Sequence, residues 1–151
     1  ATALSGLLDL LVGVVFLAAM MIYYGVRPGW PLLLMPPLLA VMVVLAMGIS
    51  MLLAALNVRY RDVKYVVPFA VQLWLFVTPI IYPTSFVPQR YRSLVALNPM
   101  TGIVEGLRAS ISADPSFDWG LIAASCGISV ALFTLGAMYF RRAEREFADV
   151  V

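Results

Sequence analysis

Apolar residues run almost unbroken through four stretches of the chain, at about residues 4–24, 32–56, 66–82 and 119–140, with polar clusters between them. About 20 residues of α-helix, at ~1.5 Å each, cover a hydrocarbon core of about 30 Å, so each stretch predicts a membrane-spanning helix. The first holds a single charge, Asp9, close enough to the helix start for its carboxylate to reach water, and closes on Tyr23-Tyr24, residues that favour the bilayer interface. Gly25 to Pro31 leaves room only for a turn, so the first two spans form an antiparallel hairpin. Pro36-Pro37 is tolerated only in a first helical turn, which predicts that the continuous part of the second span starts there. Further on, Gly48, Ser50, Ala54 and Ala55 let a neighbouring helix approach closely.

The third span is shorter and interrupted. Pro68 stands in its first turn, Gln72 and Thr78 are polar, and Pro79 and Pro83 break its far end, a pattern that suits a helix packed inside a bundle. Segment 84–118 follows. Asn98-Pro99 reads as N-cap and first helical residue; Met100, Ile103, Val104, Leu107 and Ile111 then recur at helical spacing, while Glu105 and Arg108, three apart, share another face. Pro88 to Leu97 predicts a second short helix. Neither piece reaches the length of a span, so a re-entrant or interfacial helical hairpin is expected before the last crossing. Gly102-x-x-x-Gly106 is a single match to a helix-contact pattern. The fold class is therefore all-α: a polytopic transmembrane helical bundle of four spans plus this hairpin, one transmembrane domain over 1–151, closed by a polar tail at 141–151.

Composition narrows the function. Apolar residues make up 63% of the chain and charged residues 12%, against roughly 45–50% and about 25% in soluble domains, which rules out a water-soluble monomer. The net charge is +2 and no basic tract exists, so nucleic acid is not an expected partner. With no His and one Cys, Cys126, the chain has no internal disulfide, no common zinc ligand set and no His-based triad. Cys126, among Ala, Ser and Gly, reads as a small packing residue. Lys64, the single lysine, sits in Arg-Asp-Val-Lys-Tyr with no glycine nearby, so no phosphate-cradling Walker loop exists and the chain does not hydrolyse ATP by itself. Nearly uncharged span interiors give no support to ion-coupled transport. No catalytic residue, metal site or cofactor is expected in this chain.

Basic residues set the orientation. Arg59, Arg61, Lys64, Arg141, Arg142 and Arg145 cluster on one side of four crossings, whereas Arg27, Arg90, Arg92 and Arg108 are spread thinly over the other; the denser side is expected to be cytoplasmic, the C-terminus with it. The most charged compact element is Asn57-Val58-Arg59-Tyr60-Arg61-Asp62-Val63-Lys64-Tyr65. Interleaved basic residues and tyrosines suit docking onto a protein partner, and equally suit a positive-inside loop with interfacial tyrosines.

Several ordered motifs carry a resemblance: Leu56-Asn57-Val58-Arg59-Tyr60-Arg61-Asp62-Val63, then Pro68, Gln72-Leu73, Thr78-Pro79-Ile80-Ile81-Tyr82, Val87-Pro88, Leu97-Asn98-Pro99-Met100, Glu105-Gly106-Leu107-Arg108 and the ending Phe140 to Val150. Together they resemble the membrane permease of ATP-binding-cassette exporters for O-antigen, capsular polysaccharide and teichoic acid. The resemblance implies a multi-pass protein of the bacterial plasma membrane that pairs as a homodimer with two copies of a separate ATPase, where Mg-ATP binds, and moves a lipid-linked glycan or glycan-phosphate polymer. It implies that 57–65, with Asn57, Arg59, Tyr60, Arg61, Asp62 and Lys64, is a coupling element seated on the ATPase, that Pro88–Ile111 is a periplasm-side hairpin with its Glu105–Arg108 pair, and that the tail is a second cytoplasmic segment. Such permeases have six spans, and the chain starts at Ala1 with no signal peptide, so it is read as part of a longer protein. Gln72, Trp74, Phe76, Tyr82, Phe86 and Tyr91 are the candidates for the substrate path, since aromatic faces suit sugar C–H faces. The competing classes are an intramembrane enzyme of lipid-linked glycan metabolism and a structural membrane subunit. An enzyme would be expected to cluster acids, and the nearest pair, Asp114 and Asp118, reads better as a turn and a helix cap.

Overall fold

The computed structural model describes residues 2–27, 29–78, 80, 82, 84–111 and 117–149. Every regular element among them is helical: α1 (Thr2–Tyr23), α2 (Met35–Arg59), α3 (Val63–Val77), α4 (Gln89–Ala96), α5 (Pro99–Ile111) and α6 (Trp119–Ala148), with 3-10 turns at Trp30–Leu34 and Thr84–Phe86. Helix boundaries follow local chemistry. Gly25, at φ 69°, ends α1 in a Schellman turn: Val26 N–H donates to the Met21 carbonyl and Gly25 N–H to Ile22. Pro36 and Pro37 fall in the first turn of α2, where the missing N–H groups have no helical partner to lose.

α2, α5 and α6 form the core, with Leu38, Leu45, Ala55, Ile103 and Ala109 buried among them. Small residues decide how close they come. A Cβ added at Gly48 would stand 2.6 Å from the Phe133 Cα, and one at Gly136 would stand 2.3 Å from the Gly48 carbonyl oxygen. α2 and α6 are parallel: Leu38 lies near Ile122, Gly48 near Gly136, and Arg59 near Tyr139. The Gly102-x-x-x-Gly106 pattern proves to be a contact surface. A Cβ at Gly102 would collide with Ser125 and the Leu121 carbonyl, one at Gly106 with Leu38, and the Gly102 N–H donates to Ser125 Oγ at 3.1 Å. Thr101, Ser125 and Ser129 are buried with their hydroxyls satisfied: Thr101 donates across to the Val95 carbonyl of α4, Ser129 donates to the Ser125 carbonyl within α6, and Ser125 accepts from α5.

α1 and α3 lie outside this core. Gly6, Leu7 and Leu10 of α1 face the 42–51 stretch of α2 across an apolar crevice of about 570 Å³, which fits the expected antiparallel pairing. No residue of α3 is buried, and its helix contact is chiefly α2.

Among the described residues, three segments are long and apolar enough to cross a membrane: Leu4–Tyr23, Trp30–Arg59 and Trp119–Glu146. The third expected span, 66–82, differs. Its helix starts earlier, because Val63 N–H donates to the Tyr60 carbonyl and the turn at 60–62 launches α3 directly. Pro68 is therefore inside the helix rather than in its first turn. The helix stops at Val77, with Thr78 extended at ψ 129°, as expected of a residue preceding proline. Its 15 residues reach about 22 Å, short of a full crossing. The polar tail is largely helical: α6 continues through it to Ala148, and its 30 residues reach about 45 Å, about 15 Å beyond a hydrocarbon core.

Candidate functional site

Two regions at opposite ends of the bundle hold the functional candidates. At one end, α2 stops at Arg59 when Tyr60 turns extended, and its N–H donates to the Leu56 carbonyl at 2.7 Å. Asn57, Arg59, Tyr60, Arg61, Asp62 and Lys64 are all exposed there. Arg59 lies over the Tyr60 ring at 5.9 Å and Lys64 over Tyr65 at 4.9 Å, so cation and ring are held as pairs. Arg59 also lies beside the Tyr139 hydroxyl and within electrostatic reach of Glu146. This joins 57–65 to the C-terminal third of α6, where Arg141, Arg142 and Arg145 are exposed. The segment and the extension of α6 thus share one end of the bundle, a pairing over more than 70 positions of sequence that charge pattern alone did not define.

At the other end, Trp30, Phe117 and Trp119 form an aromatic cluster, with ring centroids 5.9 and 5.2 Å apart. α4 and α5 fold back as a helical hairpin. Asn98 caps α5 as its sequence position predicts, accepting the Met100 N–H on Oδ1 at 3.0 Å. The same oxygen accepts the Trp74 Nε1–H at 3.1 Å, and Asn98 Nδ2 donates to Thr78 Oγ1 at 2.8 Å. Arg108 pairs with Glu105 at 2.8 Å, and it also donates to the Tyr82 carbonyl at 3.3 Å and to the Ile80 carbonyl. Ile80 and Tyr82 lie beyond α3 and outside any helix, so their carbonyls need donors wherever lipid excludes water. Asp118 caps α6, accepting the Leu121 N–H on Oδ1 at 3.1 Å; Asp114 lies outside the described residues.

The six substrate-path candidates do not converge. Gln72 and Phe76 are exposed on α3, Trp74 is turned toward Asn98, the Tyr82 hydroxyl donates to the Phe76 carbonyl at 3.2 Å, and Phe86 and Tyr91 are exposed on the hairpin side. What the structure does assemble there is a mixed cleft of about 380 Å³, lined by Ser85, Arg92, Thr101 and Asp118 together with apolar residues such as Val87 and Leu121. No spacing in the sequence signals it, because Arg92 and Asp118 come to line one cleft only through the fold of the hairpin onto α6. The Trp74–Asn98–Thr78 contact was equally invisible: only the capping half of the Asn98 role is local.

The family model described as ABC-2 type transporter matches residues 2–112. The O-antigen export system permease protein RfbA of Myxococcus xanthus is 31% identical over 130 residues, 85% of this chain and 50% of that protein. Two proteins of the same name from Klebsiella pneumoniae are 24% identical over 134 residues and 22% over 129, covering 88% and 85% of this chain. The chain spans about half the length of these curated relatives.

Proposed function

The chain belongs to the ABC-2 type transporter family, and from that premise we propose that it forms part of an exporter permease moving a lipid-linked polysaccharide or glycan-phosphate polymer across the bacterial plasma membrane. A separate ATPase, holding Mg-ATP, drives it. The observation that carries this reading is the exposed segment 57–65, in which Arg59 lies over Tyr60, Lys64 over Tyr65, and Arg61 is exposed between them. A permease driven by a separate ATPase receives its energy through contact, and Arg and Tyr are favoured anchors of such contacts. The relatives' names support the substrate class.

In this reading α3 and the chain beyond it complete a fourth crossing, 57–65 and 141–151 face the cytoplasm, and 84–118 faces the other side. A second copy of the permease and lipid cover the apolar faces of α1 and α3. Gln72, Phe76, Tyr82, Phe86 and Tyr91 flank the glycan path. The test uses the full-length permease with its ATPase. Arg61→Glu should leave the permease in the membrane but reduce ATPase co-purification, since reversing a buried interfacial charge costs about 2–5 kcal/mol. Undiminished co-purification and export would reduce the segment to a topological signal.

A further inference from the structure

We propose that Asn98 is a positioning residue that latches the far end of α3 to the helical hairpin, so that displacement of the 57–65 segment is passed through α3 to α4 and α5. The inference rests on the reading of 57–65 as the coupling segment. Within this chain α3 has no buried residue and rests lightly on α2, so few ties to the rest of the chain lie along its side. Its two ends hold it instead. The near end follows the 60–62 turn directly, through the Val63 and Tyr65 N–H bonds to the Tyr60 and Asp62 carbonyls. At the far end, Asn98 accepts from Trp74 and donates to Thr78, while Arg108 holds the Ile80 and Tyr82 carbonyls. α5, which carries Asn98, is in turn seated on α6 by the Gly102 contact. A helix tied to the chain at both ends passes a displacement of one end to the other along its axis. Trp74 accordingly acts in the latch, not as a sugar-stacking ring.

Capping and latching can be separated chemically. Asn98→Ser keeps a good N-cap for α5 but is too short to reach Trp74 and Thr78. Each lost hydrogen bond shifts an equilibrium about fivefold, so the two together should raise the unlatched population about 25-fold. Asn98→Asp keeps the oxygen for Trp74 and Met100 and offers the Thr78 hydroxyl an acceptor, so it should restore the latch. Spin labels at Leu75 and Leu94, both exposed, in a Cys126→Ala background report the latch in purified full-length permease with neither ATPase nor glycan present. The expected result is a broadened distance distribution in Asn98→Ser, restored in Asn98→Asp, with surface glycan falling in parallel while the ATPase stays bound and hydrolyses ATP. A narrow distribution in Asn98→Ser overturns the latch; a broadened one with normal surface glycan overturns its positioning role. If Asn98→Ser does not accumulate, Thr78→Val and Trp74→Phe each remove one tie and leave the cap, and carry the same test at about fivefold. Failure of the coupling reading itself would appear separately, as unchanged ATPase co-purification in Arg61→Glu.

Discussion

Gly136→Ala tests the packing that organises the whole bundle. The new Cβ would sit 2.3 Å from the Gly48 carbonyl oxygen, where ordinary contact begins at 3.4 Å, so α2 and α6 must separate locally by about 1 Å. Backbone faces backbone there, and no side-chain rotation can relieve the overlap. Overpacking costs about 1–3 kcal/mol where side chains yield, so the upper end applies. Replacing glycine within a helix returns about 1 kcal/mol of propensity, leaving a net loss of about 2 kcal/mol. Gly127→Ala, in the same helix with nothing within 4 Å of its Cβ, should show only the gain, about 1 kcal/mol. Thermal unfolding of the full-length protein in one detergent, followed by size-exclusion fluorescence, should therefore rank Gly127→Ala at or above the parent and Gly136→Ala below it. A Gly136→Ala protein as stable as the parent would refute the close α2–α6 approach.

Single cysteines at Tyr60, Gln89 and Ala148, in a Cys126→Ala background, should divide by side in intact cells. Gln89 alone should react with an impermeant thiol reagent, and labelling of Tyr60 would overturn the topology. Glu105→Gln should disturb surface glycan less than Arg108→Gln: without Glu105, Arg108 keeps the Ile80 and Tyr82 carbonyls, whereas its own loss strips all of them of a donor, at about 1–3 kcal/mol for each group left unsatisfied. Equal export by the two variants at equal abundance would contradict that. Asp118→Ala should lower the unfolding temperature through loss of the α6 cap, about 1 kcal/mol, while Asp118→Asn, an equally good cap, should not.

The positions of the helices were largely legible in the sequence because what sets them is local. Solvent and lipid impose the lengths of the apolar runs, and Gly25, Pro36-Pro37, Asn98-Pro99 and Asp118 mark their ends through backbone chemistry that needs no distant partner. The third span is where pattern and structure part: charge conceals its start, and the residue before Pro79 ends its helix at Val77. Lys64-Tyr65 and Arg141 to Ala148 end apolar runs, but a helix propagates through polar residues when its backbone bonds are satisfied. The family resemblance likewise lay in ordered local motifs. Tertiary structure alone decided which small residues are contacts and which face open space: Gly127 and Gly136 lie nine positions apart in one helix, and only Gly136 meets backbone. It alone decided that Asn98 holds Trp74 and Thr78 as well as its own helix, and that Arg108 serves the carbonyls of a chain segment 26 to 28 residues away. These are pairings between distant positions, and a hydropathy or capping pattern, which records only a residue and its immediate neighbours, contains no term for them.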